Sequence, residues 1–246
     1  MTKWIEDWFG SDYYSLLYRH RDEEEAKQFI DNLIGFLNIP SGSNILDCGC
    51  GRGRHSVHLS KRDFEGTGLD ISKKSISCAK KQEKKNLTFH EHDLRNIFKT
   101  NHYDAALSLF TSFGYFENES DNDKVIKTIS SSLKKHGWFV LDFMNAEKEI
   151  KELVANQQCK ADNVLYDVQR SLQNNCIVKE ITVTDKGEKQ FFREQVKAYK
   201  QSDLENFFGK NHLEIVHLLG DYSLSSFDKI KSERLILIGR NKFVTT

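Results

Sequence analysis

The spacing of hydrophobic residues predicts a helical segment and then a buried strand near the start of the chain. Hydrophobic side chains recur at helical spacing up to Leu37, and Asp22 has the residue type of an N-cap. We therefore expect residues 1–40 to form a helical lead-in. Pro40 ends this helix, and the short segment 44–48, with Ile45, Leu46 and Cys48, then runs into glycines, which is typical of a buried strand.

The following part of the chain alternates between strand and helix periodicity. The predicted strands span residues 66–70, 87–90, 103–109 and 138–143. The predicted helices span residues 54–62, 72–85 and 121–135. Gly137 is expected to close the last of these helices, and Ser72 to cap the second. Strands that alternate with helices predict an α/β fold, in which a mostly parallel sheet carries helices on both faces.

Beyond residue 145 the hydrophobic pattern changes to long strands joined by short turns. A short helix at residues 146–154 precedes strands at 164–172, 176–184 and 189–198. We expect an antiparallel β insertion over residues 160–200, after the fifth strand and within a single domain that spans residues 1–246. A helix opened by a capping box at residues 202–205 and strands at 214–219 and 234–239 complete the chain.

Composition and charge narrow the classes of function. Lysine plus arginine and aspartate plus glutamate both number 36, so the formal net charge is +0 and no overall field attracts the chain to nucleic acid. No hydrophobic run approaches the ~18 residues of a membrane span, and the first residues lack the pattern of a secretory signal. The five cysteines are odd in number and mostly far apart, which favours reduced thiols. We therefore expect a cytoplasmic protein with no membrane or nucleic-acid partner.

A glycine loop follows the first predicted strand. Residues 47–53 carry glycines with the spacing G-x-G-x-G, rather than the G-x-G-x-x-G of a dinucleotide-binding loop. Asp47 stands beside this loop, where a carboxylate repels a pyrophosphate but attracts an ammonium group. Because ligands of open parallel sheets bind beyond the carboxyl ends of the strands, we expect this loop to contact a ligand.

Two further acidic residues end the next two predicted strands. Asp70 follows the glycine loop by about twenty residues, where a carboxylate accepts hydrogen bonds from both hydroxyls of a ribose. Asp93 follows the third strand, where a carboxylate can accept from an adenine amino group. Together with Asp47 these residues predict a site for an adenosine joined to a cationic amino acid.

These residues also carry a resemblance to a known family. The chain resembles the class I S-adenosylmethionine-dependent methyltransferases through residues 45–55, 68–72 and 92–94. More narrowly, it is similar to an uncharacterised bacterial branch of small-molecule type through Tyr13, Tyr14 and residues 18–22, 109–116 and 232–234. The resemblance extends over nearly the whole chain.

The resemblance implies a Rossmann-like fold and a cofactor site. It implies an open, mostly parallel, seven-stranded sheet in the order 3-2-1-4-5-7-6, whose last strand is antiparallel, with the β insertion over the substrate side. The implied cofactor is S-adenosyl-L-methionine. The implied cofactor-binding residues are Asp47, Gly49 and Gly51 at the methionyl part, Asp70 at the ribose, Ile71, Asp93 and Leu94 at the adenine, and Phe110 near the sulfonium.

The acceptor is expected to be a small molecule. Methyl transfer from a sulfonium is an in-line displacement, which alignment and desolvation accelerate with or without a general base. The residues expected on the substrate side are Tyr14, Tyr18, Arg19, Phe110, Thr111, Ser112, Tyr115 and Arg234, with no catalytic residue singled out among them. Pro40 is the single proline, so the chain lacks the proline-containing motifs of methyltransferases that act on nucleic-acid bases.

Other interpretations of these residues stay open. Phe110 also fits a packing role, and Tyr14 and Tyr18 also fit a buried stripe on a helix. Arg19 is equally consistent with a solvated side chain. No metal site is expected, because the histidines lack ligand spacing. Two alternative functions are a nicotinamide-dependent oxidoreductase, which would share the sheet and Asp70, and a non-catalytic cofactor-binding module. The sequence does not indicate an oligomeric state.

Overall fold

The computed structural model describes residues 3–19 and 23–242, so the predicted N-cap Asp22 lies outside the described residues. The helices are α1 (Lys3–Phe9), α2 (Asp12–Leu17), α3 (Glu23–Leu37), α4 (Arg54–Lys61), α5 (Lys73–Ala79), α6 (Glu119–Ser132), α7 (Ala146–Lys151) and α8 (Gln201–Lys210). The strands are β1 (Asn44–Cys48), β2 (Glu65–Asp70), β3 (Leu87–Glu91), β4 (Tyr103–Ser108), β5 (Leu133–Met144), β6 (Asn156–Ala161), β7 (Val164–Gln173), β8 (Cys176–Asp185), β9 (Glu188–Lys197), β10 (Leu213–Leu219) and β11 (Arg234–Asn241). Over these ranges, no helix has the length and hydrophobicity that crossing a membrane requires.

Seven strands form one sheet, in the order β10-β11-β5-β4-β1-β2-β3. Neighbouring strands are parallel except at β11, which runs antiparallel to both β5 and β10. This arrangement is the expected order 3-2-1-4-5-7-6, and the α/β class with a Rossmann-like, mostly parallel sheet is confirmed. The carboxyl ends of β1, β2, β3 and β4 consequently meet at one edge of the sheet, which is where the glycine loop and Asp70 lie.

Two hydrophobic layers cover the two faces of this sheet. Ile30 and Leu33 of α3 belong to the same buried cluster as Val140 of β5. Ile129 of α6 belongs to a second cluster with Leu141, the next residue along β5. Because successive side chains of a strand point to opposite faces, the sheet has helices on both sides, as the alternating pattern predicts.

Strands β6 to β9 form a separate antiparallel sheet. Three of them, β7, β8 and β9, correspond to predicted strands, and Lys186 and Gly187 have the left-handed φ angles (51° and 87°) of the tight turn that joins β8 to β9. The sequence does not predict β6, because this strand is polar and mostly exposed and so has no hydrophobic alternation. The antiparallel sheet thus spans residues 156–197.

The lead-in consists of two short helices and one long helix. Trp8 of α1 is fully buried in a cluster with Tyr166 and Ile181 of the antiparallel sheet, and its Nε1 donates a hydrogen bond of 2.9 Å to Glu194 on β9. Helix α3 instead packs on the main sheet. The first two helices therefore lie against the antiparallel sheet, and the third lies against the parallel one.

Helix α6 ends before the predicted residue 135, and the prediction that Gly137 closes it is wrong. Leu133 already has extended backbone (φ −77°, ψ 142°) and begins β5, in which Gly137 lies. Leu133 is buried and continues the helical spacing of Ile129, so its hydrophobicity extends the predicted helix too far.

Two other helix ends also differ from prediction. The N-cap of α8 is Lys200, whose backbone N–H donates to Asp203 Oδ2 at 2.9 Å, so the predicted cap Ser202 lies inside the helix. Ser72 caps α5 as predicted. That α-helix ends at Ala79 and continues as one 3₁₀ turn, because the lysine-rich segment after it has few hydrophobic residues to pack.

Candidate functional site

A cavity of about 300 Å³ lies at the carboxyl ends of β1 to β4. We call it the first cavity. The predicted residues that line it are Tyr14, Tyr18, Gly49, Gly51, Asp70, Ile71, Asp93, Leu94, Phe110, Thr111, Ser112 and Tyr115. The end of β2, the segments that follow β1, β2, β3 and β4, and the N-terminal helices thus meet here, although they are far apart in sequence.

The backbone of the glycine loop lies in close contact with the segment that follows β4. Gly49, Gly51 and Gly53 have left-handed φ angles of 75°, 55° and 86°, which favour glycine. Gly49 N–H donates to Leu69 O at 2.8 Å and so fixes the loop to β2. A Cβ atom on Gly49 would lie 2.7 Å from Cβ of Ser112, so only glycine permits this approach.

Asp70 is held at the end of β2 by backbone donors. Its Oδ2 accepts from Gly51 N at 2.8 Å and its Oδ1 accepts from Ser72 N at 2.7 Å. Burial raises the pKa of Asp70, while these two hydrogen bonds oppose the rise. Because a carboxylate has about four acceptor positions, two remain for a ligand with two donors, such as a vicinal diol.

Asp93 lines the cavity, but its carboxylate is already bound by a guanidinium. Arg95 Nη2 donates to Asp93 Oδ2 at 2.6 Å, and Arg95 Nη1 donates to Asp121 at 3.0 Å. Burial raises the pKa of Asp93, but the bonds from Arg95 outweigh it and hold that pKa below its usual value. Arg95 has no hydrophobic or motif signal, so this partner is not predictable from the sequence.

Three predicted residues do not line the first cavity: Asp47, Arg19 and Arg234, the last of which lines an adjoining cavity instead. Asp47 is buried and accepts a hydrogen bond of 2.5 Å from Ser56 Oγ of α4, which draws its carboxylate away from a ligand contact. Burial raises the pKa of Asp47 to about 6. Arg19 is exposed and forms an ion pair of 2.6 Å with Asp162, which agrees with the solvated interpretation.

A second cavity of about 260 Å³ shares a wall with the first. The residues that line both are Phe9, Tyr14, Tyr18, Phe110, Thr111 and Tyr115. Its other walls come from α7, from the antiparallel sheet and from Arg234, which lines this cavity and not the first. The six shared residues therefore separate two adjoining binding spaces.

The shared wall contains an unusual stretch of backbone. Phe110 and Thr111 both have left-handed φ angles, of 55° and 60°. This conformation is costly for a bulky or β-branched residue, and it persists only where the surroundings impose it. Phe110 N donates to Asp142 Oδ2 at 2.7 Å, and Thr111 N donates to Asp142 O at 3.0 Å.

Asp142 joins this stretch to β11 and to the loop before it. The carboxylate is fully buried and accepts from Arg234 Nε at 2.7 Å and from the Tyr222 hydroxyl at 3.1 Å. Arg234 Nη2 also donates to Thr111 Oγ1 at 2.9 Å. The sequence does not single out Asp142 or Tyr222, although an aspartate inside the hydrophobic strand β5 is the signal that points to Asp142.

His55 is a further cavity residue that the sequence does not assign to the site. Its ring stacks on Phe110 with 5.1 Å between centroids, and its buried Nε2 has no hydrogen-bond partner among the described residues. Burial lowers the pKa of His55 to about 3, so the imidazole is neutral at ordinary pH. Within residues 3–19 and 23–242, no three His, Cys, Asp or Glu side chains are grouped to hold a metal ion.

Comparisons with known sequences identify the kind of domain. A family model described as a methyltransferase domain matches residues 39–208. The chain is 27% identical over 134 residues to dTDP-3-amino-3,4,6-trideoxy-alpha-D-glucopyranose N,N-dimethyltransferase of Streptomyces venezuelae, covering 54% of this chain and 56% of that protein. It is 30% identical over 128 residues to glycine/sarcosine N-methyltransferase of Halorhodospira halochloris, covering 50% and 48%. The chain thus spans about half the length of these curated relatives.

A solved structure has the same fold. The chain is similar to a S-adenosylmethionine-dependent methyltransferase from Clostridium acetobutylicum, with a TM-score of 0.79 and 21% identity, covering 93% of this chain and 96% of that chain. At this identity the likeness shows a shared fold alone.

The raised pKa of Asp47 predicts a pH-dependent loss of stability. Between its ordinary value of 3.8 and the folded value of about 6, the folded protein holds a proton that the unfolded chain has released. The free energy of unfolding therefore falls as pH rises through this window, by up to about 3 kcal/mol. Asp47→Asn removes the titration. Urea unfolding at pH 4 and pH 7 should show a smaller fall in Asp47→Asn than in the parent, and an equal fall would contradict the assignment.

Removal of the Asp142 charge should destabilise the protein strongly. Asp142→Asn leaves the Arg234 guanidinium buried without its counter-charge, which costs about 3–5 kcal/mol in free energy of unfolding. Tyr222→Phe is the matched control, because it removes one hydroxyl bond to the same carboxylate and costs about 1 kcal/mol. Both losses are measured by urea unfolding at pH 7. An Asp142→Asn protein as stable as Tyr222→Phe would show that the pair does not stabilise the fold.

Proposed function

This chain belongs to the methyltransferase-domain family, and from that premise we propose that it is an enzyme that transfers a methyl group from S-adenosylmethionine to a small-molecule acceptor. The observation that carries the proposal is Asp70, which is fixed at the end of β2 beside the glycine loop with two acceptor positions free. A ribose offers two adjacent hydroxyls that match these positions.

The first cavity is the cofactor site in this proposal. Its volume of about 300 Å³ lies at the lower end of the range for small-molecule sites, about 300–1,000 Å³. Ile71 and Leu94 provide hydrophobic surface for the adenine. Gly49 and Gly51 place backbone next to the methionyl part, with no side chain to block it. Asp47 has no direct part in binding, because its carboxylate bonds to Ser56.

The contact of Asp93 with the edge of the adenine would compete with Arg95. Arg95 donates to both oxygens of the carboxylate, from its backbone N at 3.0 Å, from Nε at 3.1 Å to each oxygen and from Nη2 at 2.6 Å, so an adenine amino group must share or displace one of these donors. The ion pair also keeps Asp93 ionised, since it lowers the pKa. An ionised carboxylate is the stronger acceptor for a neutral amine N–H.

The chemistry needs alignment more than acid or base groups. The cofactor, when bound, supplies a sulfonium whose methyl carbon is the electrophile. The ring of Phe9 contacts those of Tyr14 and Tyr115, at 5.0 and 5.1 Å between centroids, and all three rings line both cavities. These rings exclude water from the boundary and present faces that attract a cation. The second cavity then holds the acceptor, and Thr111, Tyr18 and Arg234 contribute to its walls.

The names of the relatives support a small-molecule acceptor that carries an amine. One relative is an N,N-dimethyltransferase of an amino sugar nucleotide and another is a glycine/sarcosine N-methyltransferase. The net charge of +0 gives no support to a nucleic-acid acceptor. No contact in the described residues favours the alternative of a nicotinamide-dependent oxidoreductase, so NAD serves as the negative control below.

Binding of S-adenosylhomocysteine tests this proposal through Asp70. Asp70→Asn removes the negative charge that accepts the ribose hydroxyls, so the Kd measured by calorimetry should rise about 10- to 100-fold. Glu65→Gln is the matched control, because Glu65 is an exposed acid at the opposite end of the same strand, and its Kd should equal that of the parent. Circular dichroism establishes that each variant is folded.

Three results would contradict the proposal. These are saturable binding of NAD without binding of S-adenosylhomocysteine, equal affinity in the parent and folded Asp70→Asn, or an equal loss of affinity in Glu65→Gln. The first result would favour the oxidoreductase. The other two would place the ligand away from Asp70.

A further inference from the structure

The second cavity contains three cationic side chains, and two of them already have carboxylate partners. Lys179 Nζ lies 2.7 Å from Glu194 Oε1. Arg234 Nε lies 2.7 Å from Asp142 Oδ1. These pairs leave little unbalanced charge for a ligand. The third cation, Arg170 on β7, differs from both.

Arg170 has a buried donor without an acceptor. Its Nη1 atom is inaccessible to solvent and has no hydrogen-bond partner among the described residues. Its backbone N donates to Ala155 O at 2.7 Å, which fixes the position of the residue on the sheet. An unsatisfied buried N–H of a charged group is costly, and native proteins leave few of them. The side chain of Arg170 is half-buried and lines the second cavity, and its other donors also have no partner among the described residues, so a ligand in the cavity can supply acceptors to them.

Arg170 is the cation of this cavity that has no acidic partner among the described residues. The acids that line the cavity are Glu149 and Glu152, at and just after α7, and Glu194, which is paired with Lys179. Arg170 therefore brings to the cavity a positive charge that no described acid neutralises. An anion is the ligand group that complements this charge.

We propose that Arg170 binds an anionic group of the methyl acceptor, a carboxylate or a phosphate, in the second cavity. This inference rests on the proposed function and names the class of its acceptor. A guanidinium recognises both groups, because its planar donors match two oxygens of either anion. The acceptor then spans the cavity, with its anion at Arg170 and its nucleophilic atom near the wall formed by Phe110 and Thr111.

The test uses acetate and inorganic phosphate as probes of the protein saturated with S-adenosylhomocysteine. Titration followed by NMR of the arginine side-chain N–H signals should show saturable binding to the parent, with chloride at matched ionic strength as the reference. Arg170→Gln should raise the Kd of the anion about tenfold or more. Arg193→Gln is the matched control, because Arg193 is an exposed arginine on β9 of the same sheet, and it should bind the probes as the parent does.

The two probes distinguish the sources of the anion. Tighter binding of acetate indicates a carboxylate-bearing acceptor, and tighter binding of phosphate indicates a phosphate-bearing one. If Arg170→Gln fails to fold, Arg170→Lys replaces it. That variant keeps the charge but loses the paired donors, so its affinity should fall below that of the parent.

Equal binding of both probes by the parent and by the Arg170 variant would overturn this inference. Loss of binding in Arg193→Gln as well would also overturn it, because the effect would then be one of general charge. The affinity for S-adenosylhomocysteine is measured on the same samples. This affinity should be the same in Arg170→Gln as in the parent. If no sample bound S-adenosylhomocysteine, the result would count against the proposed function itself.

Discussion

The hydrogen bonds of the buried Asp142 carboxylate determine the shape of the region where the two cavities meet. β5 lies between β4 and β11 in the sheet, so Asp142 reaches both the segment after β4 and Arg234 at the start of β11. Left-handed conformations at Phe110 and Thr111 cost about 1–3 kcal/mol each. Hydrogen bonds to a charged group contribute about 1.5–3 kcal/mol each, which is enough to offset that cost. The strand order of the sheet is therefore what makes this wall possible.

A second buried network closes the same region from the other side. Glu194 accepts from Trp8 Nε1 at 2.9 Å and pairs with Lys179 at 2.7 Å, and Lys179 Nζ lies 3.3 Å from the Tyr18 hydroxyl. These contacts fix the N-terminal helices to the antiparallel sheet. Because Phe9 and Tyr14 line both cavities, the lead-in helices form part of the walls themselves.

The fold and much of the site follow from local sequence features, whereas the partners of the site residues do not. Strand and helix periodicity predict the parallel sheet, because each element must bury one face or stripe. The glycine loop and Asp70 are also readable from the sequence, since a ligand at the strand ends needs close backbone and a carboxylate acceptor there. Asp47 is an exception among these residues. Its position beside the loop suggests a ligand contact, but Ser56, on the next helix, binds its carboxylate instead.

Residues that come together only in the folded chain are further exceptions. Arg170 has no motif around it, and its significance depends on the absence of an acceptor for Nη1 among the described residues. Tyr222 lies outside every helix and strand, so periodicity says nothing of its contact with Asp142. Such partners depend on the packing of distant segments, which hydrophobic spacing does not specify.

A crystal structure of the chain with S-adenosylhomocysteine would show directly whether the first cavity binds this cofactor. We expect both ribose hydroxyls to bond to the Asp70 carboxylate and the amino-acid part to lie against the backbone of Gly49 and Gly51. A ligand bound elsewhere, or in this cavity with its ribose away from Asp70, would contradict this expectation.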